Sequence, residues 1–257
     1  MMPETDGPPK RYTSGALVGE SQAALLSVVV LDGAIAGFVV GGFWLSVLLM
    51  RSFGNKVGYS LAPLGFSRPE EGVPGGIFLG LFVGAFAIVL GFAVNPLSAF
   101  VLERLGYSTK STVQQPFMQG LSGWVRESPG FAVTAIILVV VVFGPAVEEL
   151  VFRGVVFNGL YRLGTLIAAR SIGEASSTTP RGKTVFVLSA LASSVLFSLL
   201  HLEPVLLPTL LILAMILCYL FRRTGSLLPC FVAHATFNSF ATAIIILDGL
   251  GVLNVPI

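Results

Sequence analysis

Glu148 and Glu149 stand side by side inside an apolar stretch, Ile136–Ile167 (IILVVVVFGPAVEELVFRGVVFNGLYRLGTLI), and Arg153 follows four residues after the second. A charge in hydrocarbon is costly unless it is paired or faces water, so ionisable groups in such a setting are candidates for chemistry. Glu149 and Arg153 share one face of a helix and can pair. Glu148 points about 100° away and has no local partner. The stretch therefore offers one carboxylate neutralised by arginine and one left free to act as a general acid or base.

Two further polar groups interrupt apolar runs. Phe197-Ser198-Leu199-Leu200-His201 ends one run with a histidine, and His234-Ala235-Thr236-Phe237-Asn238 puts His234 and Asn238 on one helical face. These are the chain's only two histidines. Taken singly, each has a structural explanation. Glu149 and Arg153 could fix helix packing, His201 could cap a helix C-terminus, and His234 with Asn238 could make a polar contact between helices. Taken together, six polar groups in apolar helices would each need separate compensation, whereas one wet cavity satisfies all of them. A carboxylate and two imidazoles around a water can activate it for attack on a carbonyl. The Asn238 amide could hold the developing oxyanion. A catalytic zinc would take three protein ligands, His201, His234 and Glu148, and would leave no obvious separate base. No other cofactor is expected.

These groups must be held by membrane-spanning helices. Mean hydropathy is +0.90, and charged residues make up 11% of the 257, against about 25% in an ordinary soluble domain. Several runs reach the ~20 residues that cross the hydrocarbon core, and none alternates as a barrel strand does. The expected fold class is all-α, a polytopic helical bundle of about seven transmembrane helices, with six or eight as neighbouring solutions. The spans fall within Ala23–Met50 and Gly75–Leu102, then at about Arg126–Gly144, Pro145–Ala168, Thr184–Leu202, Pro204–Phe221 and Ser226–Gly249. Membrane lipid is the expected surroundings. A net charge of +2 gives no reason to expect a nucleic-acid partner. Cys218 and Cys230 are expected as free, buried thiols. Glycine ladders, Gly33/Gly37/Gly41 and Gly76/Gly80/Gly84, are expected to let helices approach closely.

The split at Gly144-Pro145 rests on two arguments. Proline suits a first helical turn and disrupts an interior. A single helix there would far exceed one membrane thickness. With the split, eleven basic residues fall on the side of the N-terminus and three on the other, which predicts a cytoplasmic N-terminus. Without it the division is five against nine. The split has a cost in depth: Glu148 and His201 fall near span ends, while Asn238 lies ~15 Å inside its own span. Residues 1–20 read as a disordered polar tail, 21–125 as an accessory transmembrane region, 126–250 as the catalytic core and 251–257 as a short tail. The turn-rich Ser171–Lys183 reads as a solvated loop.

The motifs EELVFR (Glu148–Arg153), FSLLH (Phe197–His201) and HATFN (His234–Asn238), in that order and in membrane spans, resemble the CPBP family. These are CAAX-protease and bacteriocin-processing intramembrane endopeptidases, also called the Abi or type II CAAX prenyl endopeptidase-like family. The resemblance covers roughly Phe131–Asp248. It implies a helical fold with a conical cavity and cleavage of a peptide or protein substrate that enters from the bilayer, a prenylated CAAX protein or a leader peptide. It also implies roles. Glu148 would activate water. His201 and His234 would polarise the water or hold a metal such as zinc. Asn238 would stabilise the oxyanion, and Glu149 and Arg153 would shape the site. A non-catalytic alternative is a module for bacteriocin self-immunity or peptide binding. Oligomeric state is not specified by any of these residues.

Overall fold

The computed structural model describes residues 14–111, 114–172 and 180–254. Of the expected polar tail, 1–20, residues 1–13 lie outside that description and 14–20 are already helical; the middle of the Ser171–Lys183 loop (173–179) and the last three residues also lie outside it. All regular structure among the described residues is helical. Helix α1 is Ser14–Ser52, α2 is Gly72–Arg104 and α3 is Gln114–Glu127. A helical rod, α4, spans Pro129–Arg170. Helices α5 (Pro180–Leu200), α6 (Leu207–Thr224) and α7 (Leu227–Gly249) complete the chain. All but α3 are long and apolar enough to cross a membrane, which makes six candidate spans. Large side chains such as Phe38 and Phe78 are more than 70% exposed. In lipid that exposure is favourable, and the chain is an integral multi-pass membrane protein.

The bundle has two ends. At one, the turn Ala62–Leu64 and the loop after it dock on the α6–α7 turn: Leu227 N–H donates to Gly65 O at 2.9 Å, and Ser226 Oγ donates to Ser67 O at 2.6 Å. Asn158 Nδ2 of α4 donates to Pro63 O at 2.7 Å at the same end. Gly65 has φ +95°, and a β-carbon there would sit 2.5 Å from the Phe221 ring, so only glycine fits. At the other end, α3 lies across the start of α1 and the end of α7. It buries Leu121, Trp124 and Val125, and Arg126 pairs with Asp248 at 2.6 Å. Its N-terminal amides are capped: Gln114 N–H donates to Ser111 Oγ at 2.9 Å and to Glu203 Oε1 at 3.2 Å. Cys218 and Cys230 are free and buried, as expected.

The two spans expected on either side of Gly144-Pro145 are one continuous helix. Gly144 is helical (φ −54°, ψ −58°), and the rod continues through Pro145. The reason is a change of hydrogen-bond register. Ile137–Phe143 is π-helical, and Gly144 N–H donates five residues back, to Val139 O. The next bond in that register would run from residue 145 to Val140 O. Proline has no N–H to give, and Asn238 Nδ2 of α7 donates to Val140 O instead, at 3.1 Å. A second π segment, Leu150–Phe157, is tied to α5 in the same way, by Ser193 Oγ donating to Phe152 O at 3.1 Å. Such segments persist where side chains enter the backbone ladder. The rod does overshoot the membrane at ~63 Å. The excess is accommodated because its far end carries Arg162 and Arg170, polar enough to leave the hydrocarbon.

The two glycine ladders differ. A β-carbon on Gly84 would lie 2.5 Å from Thr236 Cβ and 2.6 Å from Ala233 O, and one on Gly80 would lie 2.6 Å from Val232 Cβ. The α2 ladder thus seats α7 backbone to backbone, beside the turn that carries His234. Gly37 and Gly41 of α1 have nothing within 4 Å of the corresponding point. Gly84→Leu is therefore expected to destabilise the protein by about 1–3 kcal/mol, read as a lower Tm in detergent. Gly37→Leu is expected to leave Tm within error. Equal effects at the two positions would contradict the packing described.

Candidate active site

The rod brings Glu148 and Glu149 to its middle, close to equidistant from Pro129 and Arg170. This removes the depth mismatch that a split would create. Glu149 is the fixed point. Its carboxylate is 1% exposed, accepts from Arg153 Nη1 at 2.8 Å within its own helix, and accepts from His234 Nδ1 at 2.8 Å across from α7. A carboxylate can only accept, so His234 Nδ1 carries a proton and donates it here. Arg153, also 1% exposed, lies with its guanidinium 4.8 Å over the Phe197 ring. A cation held so deep is stabilised by a carboxylate at one edge and a π face at the other.

Glu148 is held differently. Its side chain is 31% exposed, its Oε2 lies 3.8 Å from His234 Nε2, and that oxygen has no hydrogen-bond partner. The separation is too long for a direct hydrogen bond. One face of the imidazole is thus bonded to the neutralised carboxylate, and the other faces the free one across a gap. Glu149 Oε2 and the Arg153 Nε and Nη2 groups are also buried without partners. Unsatisfied charged groups of this kind mark sites where water or substrate completes the bonding.

His201 stands at the end of α5. Its Nδ1 is 2.9 Å from Phe197 O, and its ring centroid is 4.6 Å from that of Phe197. Phe197 also meets His234, with centroids 5.6 Å apart. Phe197 therefore touches both imidazoles and also supports Arg153, a role that its place in the FSLLH motif does not by itself announce. Of the six residues singled out from the sequence, Glu148, Glu149, Arg153 and His234 form one contact cluster. His201 reaches it through Phe197. Asn238, one turn beyond His234, bonds the rod at Val140.

A catalytic zinc would need three protein donors. Among the described residues no group of three His, Cys, Asp or Glu side chains gathers closely enough to hold a metal ion. The donor set does not fit a zinc centre built on His201 and His234.

One residue near the site was not singled out from the sequence. Asp32 of α1 projects toward the rod: the point where a β-carbon of Gly144 would lie is 3.9 Å from Asp32 Oδ2 and 3.9 Å from Glu148 Oε1. The signal was present, since Asp32 is the only ionisable group between Glu20 and Arg51.

Residues 130–240 match the family model described as Type II CAAX prenyl endopeptidase Rce1-like. That segment of the chain is similar to the CAAX-protease family. The matched segment begins at the start of α4 and ends in α7, so it takes in all six motif residues. No curated protein and no solved structure matches the chain. The CAAX-protease segment lacks α1 and α2, yet α2 seats the His234 turn and α1 carries Asp32.

Arg153→Ala would leave Glu149 charged and half-partnered in the core. The expected loss is about 3–5 kcal/mol, seen as a large fall in Tm. Glu148→Gln, at a half-exposed unpaired carboxylate, is expected to leave Tm unchanged. A stable Arg153→Ala protein would contradict the assignment of the buried pair.

Proposed function

We propose that this protein is a member of the CAAX-protease family and an intramembrane endopeptidase that cuts the C-terminal tail of a prenylated, CAAX-type membrane-associated protein. The observation that carries the reading is the gap between Glu148 Oε2 and His234 Nε2 at 3.8 Å, with His234 held by Glu149 on its other nitrogen. A water in that gap donates one hydrogen to each and keeps a lone pair for the scissile carbonyl. Glu148 takes the water proton as the new C–O bond forms. The Asn238 amide, with one hydrogen on Val140 O, has a second to offer the oxyanion. His201, with Nδ1 engaged by Phe197 O, keeps Nε2 for water or substrate. The donor geometry favours a reaction that needs no metal. The test is a quenched, farnesylated peptide ending in a CAAX sequence, incubated with purified protein. Wild type is expected to cleave it after exhaustive chelation, and Glu148→Gln to lose about 100-fold or more at unchanged Tm. Cleavage retained in Glu148→Gln would refute the mechanism. A requirement for added zinc would refute the metal-free form.

The continuous rod also bears on orientation. With six spans, Arg51, Lys56, Arg68, Arg162, Arg170, Arg181, Lys183, Arg222 and Arg223 gather at the end of the bundle opposite the N-terminus. Arg104, Lys110 and Arg126 fall at the other, and in chain order Lys10 and Arg11 count with them. The positive-inside rule then puts the nine in the cytoplasm and the N-terminus outside, the reverse of what the split predicts. In intact cells an impermeant maleimide is expected to label Ser128→Cys and not Lys56→Cys. The opposite pattern would restore a cytoplasmic N-terminus.

A further inference from the structure

We infer that Asp32 is a second catalytic carboxylate, paired with Glu148 across Gly144 and supplying the proton that the leaving amine needs. The inference rests on the peptidase reading above and adds a residue from outside the family-matched segment. Three observations carry it. Asp32 Oδ2 and Glu148 Oε1 both lie 3.9 Å from the point a Gly144 β-carbon would occupy. The absence of a side chain at Gly144 is what keeps the space between them open. Glu148 divides its oxygens, with Oε1 on this side and Oε2 toward His234 Nε2, so the carboxylate stands between the open point at Gly144 and the imidazole. Neither acid has a cation to neutralise it: Arg153 is spent on Glu149, and no Lys or Arg lies within ion-pair distance of Asp32 among the described residues.

Two carboxylates that open on one space can share a single proton through a water held there. That state suits amide hydrolysis, which needs a base at the start and an acid at the end. Glu148, ionised, takes a proton from the water as its oxygen bonds to the carbonyl carbon and the carbonyl electrons move to oxygen. Asp32, carrying the shared proton, gives it to the amide nitrogen as the C–N bond breaks with its electrons on nitrogen. The products are a carboxylic acid and an amine. The proton now on Glu148 passes back to Asp32 through water, and the starting state returns. No group beyond water and peptide is consumed.

The experiment uses the full-length protein in detergent with the farnesylated quenched peptide, comparing wild type, Asp32→Asn, Asp32→Glu, Asp32→Leu and Glu148→Gln. Asp32→Asn is isosteric and is expected to lower kcat about 100-fold, with KM within threefold and Tm unchanged. Asp32→Glu is expected to recover at least a tenth of wild-type kcat. Asp32→Leu, which suits an apolar helix, is expected to fold well and to be as slow as Asp32→Asn. An Asp32→Asn or Asp32→Leu protein with kcat within threefold of wild type would overturn the inference. So would a loss that appears as raised KM or lowered Tm, since that is what a structural role would give. An inactive Glu148→Gln beside an active Asp32→Asn would sink this inference alone. An active Glu148→Gln would sink the peptidase mechanism with it.

Discussion

The carboxylate of Glu149 is the constraint on which the site depends. It sits in the core of the bundle, 1% exposed, and it survives there because Arg153 meets it from one turn along the same helix. Once neutralised, it still has lone pairs to give, and it gives one to His234 Nδ1. That single bond locks an imidazole from α7 to the middle of α4 and puts a proton on its Nδ1. The face of the ring turned to Glu148 follows from it. A buried pair is a poor source of net stability. Here it acts as a register mark that sets two helices to one another and leaves one acid free.

The rod that carries both glutamates depends on the same helix α7. A proline inside a membrane helix leaves a carbonyl without a partner, and in lipid that must be supplied from elsewhere. The π register of Ile137–Phe143 moves the orphan to Val140, and Asn238 supplies the donor. Asn238 thus keeps the rod whole one turn beyond the histidine that reads its carboxylates. The α2 glycines allow that turn of α7 to sit where it does, since any side chain at Gly84 would meet Ala233 O. Packing, backbone satisfaction and site geometry converge on the segment Ala233–Asn238.

Much of this was legible in the sequence. Composition dictated membrane helices, and the spacing of Glu149 and Arg153 dictated their pairing. The isolation of Glu148 followed from the same geometry. What the sequence could not convey was how Pro145 would be accommodated. The rule against interior proline is local, and the compensation came from Asn238, 93 residues away. The span count derived from that rule inherited the error. Asp32 differs: a lone carboxylate in a long apolar helix carries the same physical signal as Glu148, but only the fold brings α1 beside the rod. Phe197 was hidden because an aromatic residue in an apolar span has no distinguishing chemistry until its neighbours are known. Its contact with His201, His234 and Arg153 appears only in three dimensions.

The claim that everything else rests on is the protonation pattern of His234. With only two histidines in the chain, 15N NMR of imidazole-labelled protein in detergent can resolve both rings, and a His201→Gln protein assigns them. The account predicts that His234 is neutral, with its proton on Nδ1 and a bare Nε2, and that Glu149→Gln disturbs this pattern. A proton on Nε2, or no response to Glu149→Gln, would contradict it.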